Sequence, residues 1–252
     1  TKATILVLAV VAASLLLSFF IDHIISGPAS ITSEYIPINH VNYIYISADD
    51  SASNLTIRSY SGQFLELIEI NRSILCPPNY LHYSVSETDG SLYLNMSEQS
   101  YWWTSWLCSI NLVLLIPNSR VFELISINGT NGFISLNGTK TATARIGFVN
   151  GVVYLDNMNI SNLRVSLVNG VANLSLSGHY GKYSVSIING VVNSIVPANS
   201  SMSISANAGK LTIKTPTGIE KYAGISLIYT KELGSPTLIV SVANGVVNVR
   251  ER

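Results

Sequence analysis

Asn-Gly pairs begin at Asn131, Asn150, Asn169, Asn189 and Asn244, and a variant Asn-Ala-Gly begins at Asn207. Their spacings are 19, 19, 20, 18 and 37, the last close to two periods. Four copies of one phrase surround the later pairs: FVNGVVYL, LVNGVANL, IINGVVNS and VANGVVNV. Apolar residues stand four and two places before the Asn, as in Ile146 and Phe148, Val165 and Leu167, Val185 and Ile187, and Val240 and Val242. Asn-Gly tolerates positive φ and so turns a corner at little cost. Strand, corner and strand at a period near 19 predict a β-solenoid, each coil burying an apolar stripe and stacking about 4.8 Å from the next. Asn-Gly is also the strongest hairpin signal, but a hairpin meander has no reason to repeat one phrase at constant spacing. Two further pairs, at Asn128 and Asn137, fall outside the rhythm.

Upstream, 41–47, 54–59, 64–70, 80–86, 91–96 and 110–116 alternate or run apolar between turn residues and read as strands. No segment beyond residue 40 holds a helical period over three turns. The fold class expected is mainly β: a repetitive β-solenoid or β-sandwich-like body with one N-terminal hydrophobic α-helix. The divisions expected are a helix over 1–26, a linker over 27–40 carrying Gly27, Pro28 and Pro37, a first β region over 41–118, and the solenoid over 119–252.

The helix is expected because Ala3 to Phe20 carry no charge, and a span of about 17–25 apolar residues can cross a bilayer. Lys2 precedes the span and the bulk of the chain follows, so the positive-inside rule places the body outside the cytoplasm. Such a segment can be a signal peptide, for which 26–30 offer small residues, a plain membrane anchor, or a helix that leaves the membrane to pack in a filament. Leu6, Leu8, Val11, Leu15, Leu16, Phe19 and Phe20 would form its buried face, and Ala9, Ala12, Ala13 and Ser14 would let neighbouring helices approach closely.

Charged residues make up 11% of the 252, and the net charge is zero, against a usual charged share of about 25%. There is no basic run, so no nucleic-acid partner is expected. Cys76 and Cys108 are the two cysteines; no cluster of Cys and His supports a metal, and a disulfide between them is expected in an oxidising compartment. N-glycosylation sequons stand at Asn54, Asn71, Asn95, Asn128, Asn137, Asn159, Asn173 and Asn199, all in the body, so N-linked glycans are expected partners. Between Leu124 and Tyr229 the acidic residues are Asp156 and Glu220, too sparse for a Ca²⁺-binding solenoid or a paired-carboxylate glycosidase. The four His are scattered, and no nucleophile or phosphate-loop motif is present. Neither enzyme activity nor a cofactor or metal is expected. Trp102, Trp103 and Trp106, beside Tyr101, form either a sticky tip for sugar or a neighbouring subunit, or a core cap. Asp49 and Asp50 read as a solvated turn rather than a cation site.

Residues 1–25 resemble the mature N-terminus of archaeal type IV pilins and archaellins, in which a short leader is removed and the hydrophobic helix retained; a start at Thr1 fits that expectation. The repeat over 120–252 resembles bacterial and archaeal adhesin-like domains built as β-solenoids from Gly-punctuated rungs. Together these resemblances imply an extracellular filament subunit, reached by way of the cytoplasmic membrane. Its helices would polymerise in the core, and its glycosylated body would face outward for adhesion. The alternative is a single-pass anchored surface adhesin or envelope protein.

Overall fold

The structure is a computed structural model and describes residues 30–38, 40–49, 53–71, 81–98, 110–177, 181–197, 200–215, 218–231 and 237–251. The expected N-terminal helix, Cys76 and Cys108, the Trp cluster and Asn199 lie outside those residues. Among the described residues the fold is mainly β, and no helix is long and apolar enough to cross a membrane.

One rung shows how the sequence makes the fold. Over 163–176, Leu163, Val165 and Leu167 are buried before Asn169-Gly170, and Ala172, Leu174 and Leu176 after it. The buried positions switch from odd to even across the pair. A straight strand could not do this, so the chain bends there and both arms turn their apolar sides to the same interior. Neighbouring rungs repeat the pattern, with Val185 and Ile187 before the pair and Val192 after it, and Val240 and Val242 before it and Val247 and Val249 after it. Each fully buried Val, Leu or Ile contributes about 1.5–3 kcal/mol, and the core forms a single hydrophobic cluster.

These rungs stack parallel and in register. β8 (Phe122–Asn137) lies on the first part of β9 (Lys140–Leu176) with Asn131 opposite Asn150, and the last part of β9 lies on β10 (Lys182–Val196) with Asn169 opposite Asn189. Chain order then fails. The C-terminal strand β13 (Thr237–Glu251) enters between β10 and β11 (Ser201–Thr215), parallel to both. The other end has a similar inversion. β2 (Tyr43–Asp49) and β3 (Ser53–Tyr60) pair in parallel with the two arms of β8, while β6 (Ser91–Glu98) and β7 (Ile110–Pro117), later in sequence, stack outside them. The stack therefore runs through both regions that the sequence divides near residue 118.

Antiparallel strands finish both ends. β12 (Gly218–Lys231) pairs with β11, β5 (Leu81–Thr88) with β6, and β4 (Leu65–Asn71) with β7. β1 (Ser30–Ile36) pairs with β4, so part of the stretch read as linker is a strand; Leu65 and Leu67, on the strand it covers, are buried. A parallel stack left open would offer its edge to other chains, and capping strands of opposite sense interrupt that template. β5 and β6 are joined through Asp89 (φ 50°) and Gly90 (φ 73°), both left-handed, the Asp-Gly chemistry of a tight hairpin.

Candidate functional site

The Asn-Gly pairs do not make left-handed turns at Asn: among the described non-glycine residues only Asp89 and Asn157 have positive φ. Their role lies between rungs. Asn150 Nδ2 donates to Asn131 Oδ1 at 2.8 Å, Asn169 to Asn150 at 2.8 Å, Asn189 to Asn169 at 2.9 Å and Asn244 to Asn189 at 2.9 Å. A second, half-buried ladder runs from Asn248 through Asn193 to Asn173 at 2.8 and 2.7 Å. The glycines stack so closely that a Cβ at Gly170 would lie 2.0 Å from the Gly151 carbonyl oxygen, and one at Gly190 would lie 1.8 Å from that of Gly170. The ridge is thus a ladder of amides beside a column that admits only glycine, and it holds the two arms in fixed register.

Each arm presents an outer face. On the first arm the register places Tyr93, Tyr45, Ser126 and Arg145 in one column, which continues through Ser184 in β10. Arg164 pairs with Ser184, and the 19-residue period sets Arg164 on the rung next to Arg145. Lys182 pairs with Asn162, one position along the same face. Arg145, Arg164 and Lys182 are exposed and line a groove of about 890 Å³ whose other walls are Ser, Thr, Asn and Gly with two apolar residues; no Asp or Glu lines it. The rings of Tyr45 and Tyr93 stack at 5.1 Å and 12°. Close to that pair the Tyr43 hydroxyl donates to Glu123, a bond that raises the Tyr43 pKa above its usual value.

The second arm's outer face holds a smaller groove of about 550 Å³ that takes in Tyr154, the Asn173–Asn193–Asn248 ladder and Ile195. Beneath it Ser194 is buried with no hydrogen-bond partner for its hydroxyl, in a column with Leu174 and Val249.

Of the sequons, Asn95, Asn128, Asn137 and Asn159 are exposed and Asn54 is half-buried. Asn71 falls on β4. Asn173 stands within the amide ladder, its carbonyl oxygen accepting from Asn193. Among the described residues no three of His, Cys, Asp and Glu come together as a metal site. The basic groove was missed in the sequence, although Arg145 and Arg164 stand one repeat apart; the period itself was the signal.

No family model matches the chain, and no curated protein matches it. Among solved structures, the chain is similar to that of a "putative cell adhesion protein" from Clostridium sporogenes at TM-score 0.53 and 12% identity, covering 89% of this chain and 100% of that one. A "putative adhesin" from Bacteroides fragilis aligns at TM-score 0.45 and 14% identity over 88% of this chain and 97% of that one. The Clostridium match shows a shared fold.

Proposed function

We propose that this chain is a non-catalytic adhesion protein of the cell surface, in which a β-solenoid body displays binding faces outside the cytoplasm. One observation carries the reading: an in-register rung stack, finished among the described residues by antiparallel strands at both ends, with a fold like that of the Clostridium "putative cell adhesion protein". Such a body is a rigid spacer whose outer residues are free to vary without disturbing the core. Cells that display the protein should attach to surfaces better than cells from which the gene is deleted. Equal attachment by the two strains would overturn the reading.

A second reading concerns how the body is held. The uncharged span from Ala3 to Phe20, with small residues at Ala9, Ala12 and Ala13, favours packing against other copies of itself, as in a type IV pilus-like filament. The expected product is a polymer stable without detergent, with residues 3–25 in its core and the glycosylated body outside. Deleting 1–26 should leave a folded monomer. Wild-type protein confined to membranes, on cells lacking any filament that contains it, would replace the filament with the single-pass anchor.

A further inference from the structure

We infer that the groove on the first arm binds an acidic polysaccharide, with Arg145, Arg164 and Lys182 holding its carboxylates; this names a ligand for the adhesion reading and rests on it. Arg145 and Arg164 share a face on adjacent rungs, about 4.8 Å apart. Like charges facing each other across a sheet are unfavourable for stability. No carboxylate lines the groove to offset them, and the ion pair found among the described residues, Lys231 with Glu251, lies elsewhere. The groove is thus a concentration of uncompensated positive charge on a chain whose net charge is zero.

The rest of the lining narrows the class of anion. Ser126, Ser166, Ser184, Thr143, Asn128 and Asn162 supply hydroxyls and amides, which can donate to and accept from a hydroxyl-rich chain. An opening of about 890 Å³ takes several sugar rings, and guanidinium pairs with carboxylate in a two-pronged geometry that lysine cannot match. Three cations are few for a nucleic acid, whose affinity grows with the number of phosphates neutralised.

The test uses the full-length protein, immobilised, with polygalacturonate, neutral dextran and duplex DNA as probes. Polygalacturonate should bind, neutral dextran should not, and binding should weaken as salt is raised. The double variant Arg145→Gln/Arg164→Gln should lose about tenfold or more in affinity, with Arg145→Lys/Arg164→Lys between it and wild type. Lys210→Gln/Lys214→Gln, away from the groove, should bind as wild type. All the altered side chains are exposed, and an unaltered thermal melt reports that the fold is intact. The inference is overturned if polygalacturonate binds no better than dextran, if the Gln variant binds as wild type, or if DNA binds more tightly than polygalacturonate. Attachment of wild-type cells, measured against the deletion strain beside the polygalacturonate assay, separates the two readings. If polygalacturonate fails to bind while wild-type cells still attach better than the deletion strain, the groove assignment falls and adhesion stands. Should wild-type cells attach no better than that strain, adhesion itself falls.

Discussion

Gly170→Ala is the most direct probe of the rung stack. Gly170 lies outside the left-handed region, so alanine is opposed by contact rather than by dihedral strain. The added Cβ would fall 2.0 Å from the Gly151 carbonyl oxygen, where about 3.0 Å is the practical minimum, so the two rungs must part by about 1.0 Å locally. A bond of 2.8 Å stretched by that amount leaves hydrogen-bonding range. The Asn169–Asn150 amide bond and two or three neighbouring ladder bonds are then lost or bent, at about 1 kcal/mol each, and overpacking adds about 1–3 kcal/mol. The expected loss is about 4–7 kcal/mol, read as a fall in the urea midpoint of about 1.5–2.5 M at a slope of about 3 kcal/mol/M. Gly218→Ala is the control, because a Cβ there meets nothing within 4 Å; it should cost less than about 1 kcal/mol. A Gly170→Ala midpoint equal to that of the control would show that the glycine column does not set the rung spacing.

Leu167 is 3% exposed, so Leu167→Asp buries an unpaired charge and should cost several kcal/mol; an unchanged thermal midpoint would contradict the core assignment. Ser194→Val replaces an unpartnered buried hydroxyl in a Leu and Val column and should stabilise by about 1 kcal/mol in chemical denaturation. Burial raises the Glu69 pKa above the usual carboxylate value. The folded chain therefore holds that proton more tightly than the unfolded one. Glu69's favourable contribution is present in full below the unfolded pKa and is lost as pH rises through the folded one. Glu69→Gln should remove that part of the pH dependence across the acid range and raise stability at neutral pH, as thermal melts at several pH values would show.

The Asn-Gly period made the parallel rungs readable in advance, because a side-chain amide ladder needs Asn opposite Asn and so leaves its spacing in the sequence. What the glycine does was not readable: positive φ is a local property, whereas a carbonyl 2.0 Å from a Cβ position belongs to the neighbouring rung. The place of β13 was hidden by its distance along the chain, 55 residues from Asn189 to Asn244. The clue lay in the phrase. β13 carries Asn244 and Asn248, matching Asn189 and Asn193, while β11 offers Thr212 opposite Asn248 and cannot continue that ladder. Strands β2 to β7 were legible from alternation, but β1 was masked by the Gly and Pro around it. The basic groove needed the register before its charges could be seen as neighbours.

The position of β13 has a consequence for how the chain is made. A chain threaded outward from its N-terminus can lay β8, β9 and β10 on one another as they appear, but β11 and β12 cannot dock in their final places until residues 237–251 have arrived to separate them from β10. The stack of described rungs is therefore completed by residues 237–251, entering an internal slot rather than adding to an end. Until then the β10 edge stays open, and the first matching strand to reach it can come from the same chain or from an adjacent molecule. Truncation before residue 237 would remove the wedge between two blocks rather than trim a terminus. Slow docking of residues 237–251 should favour exchanged dimers over monomers.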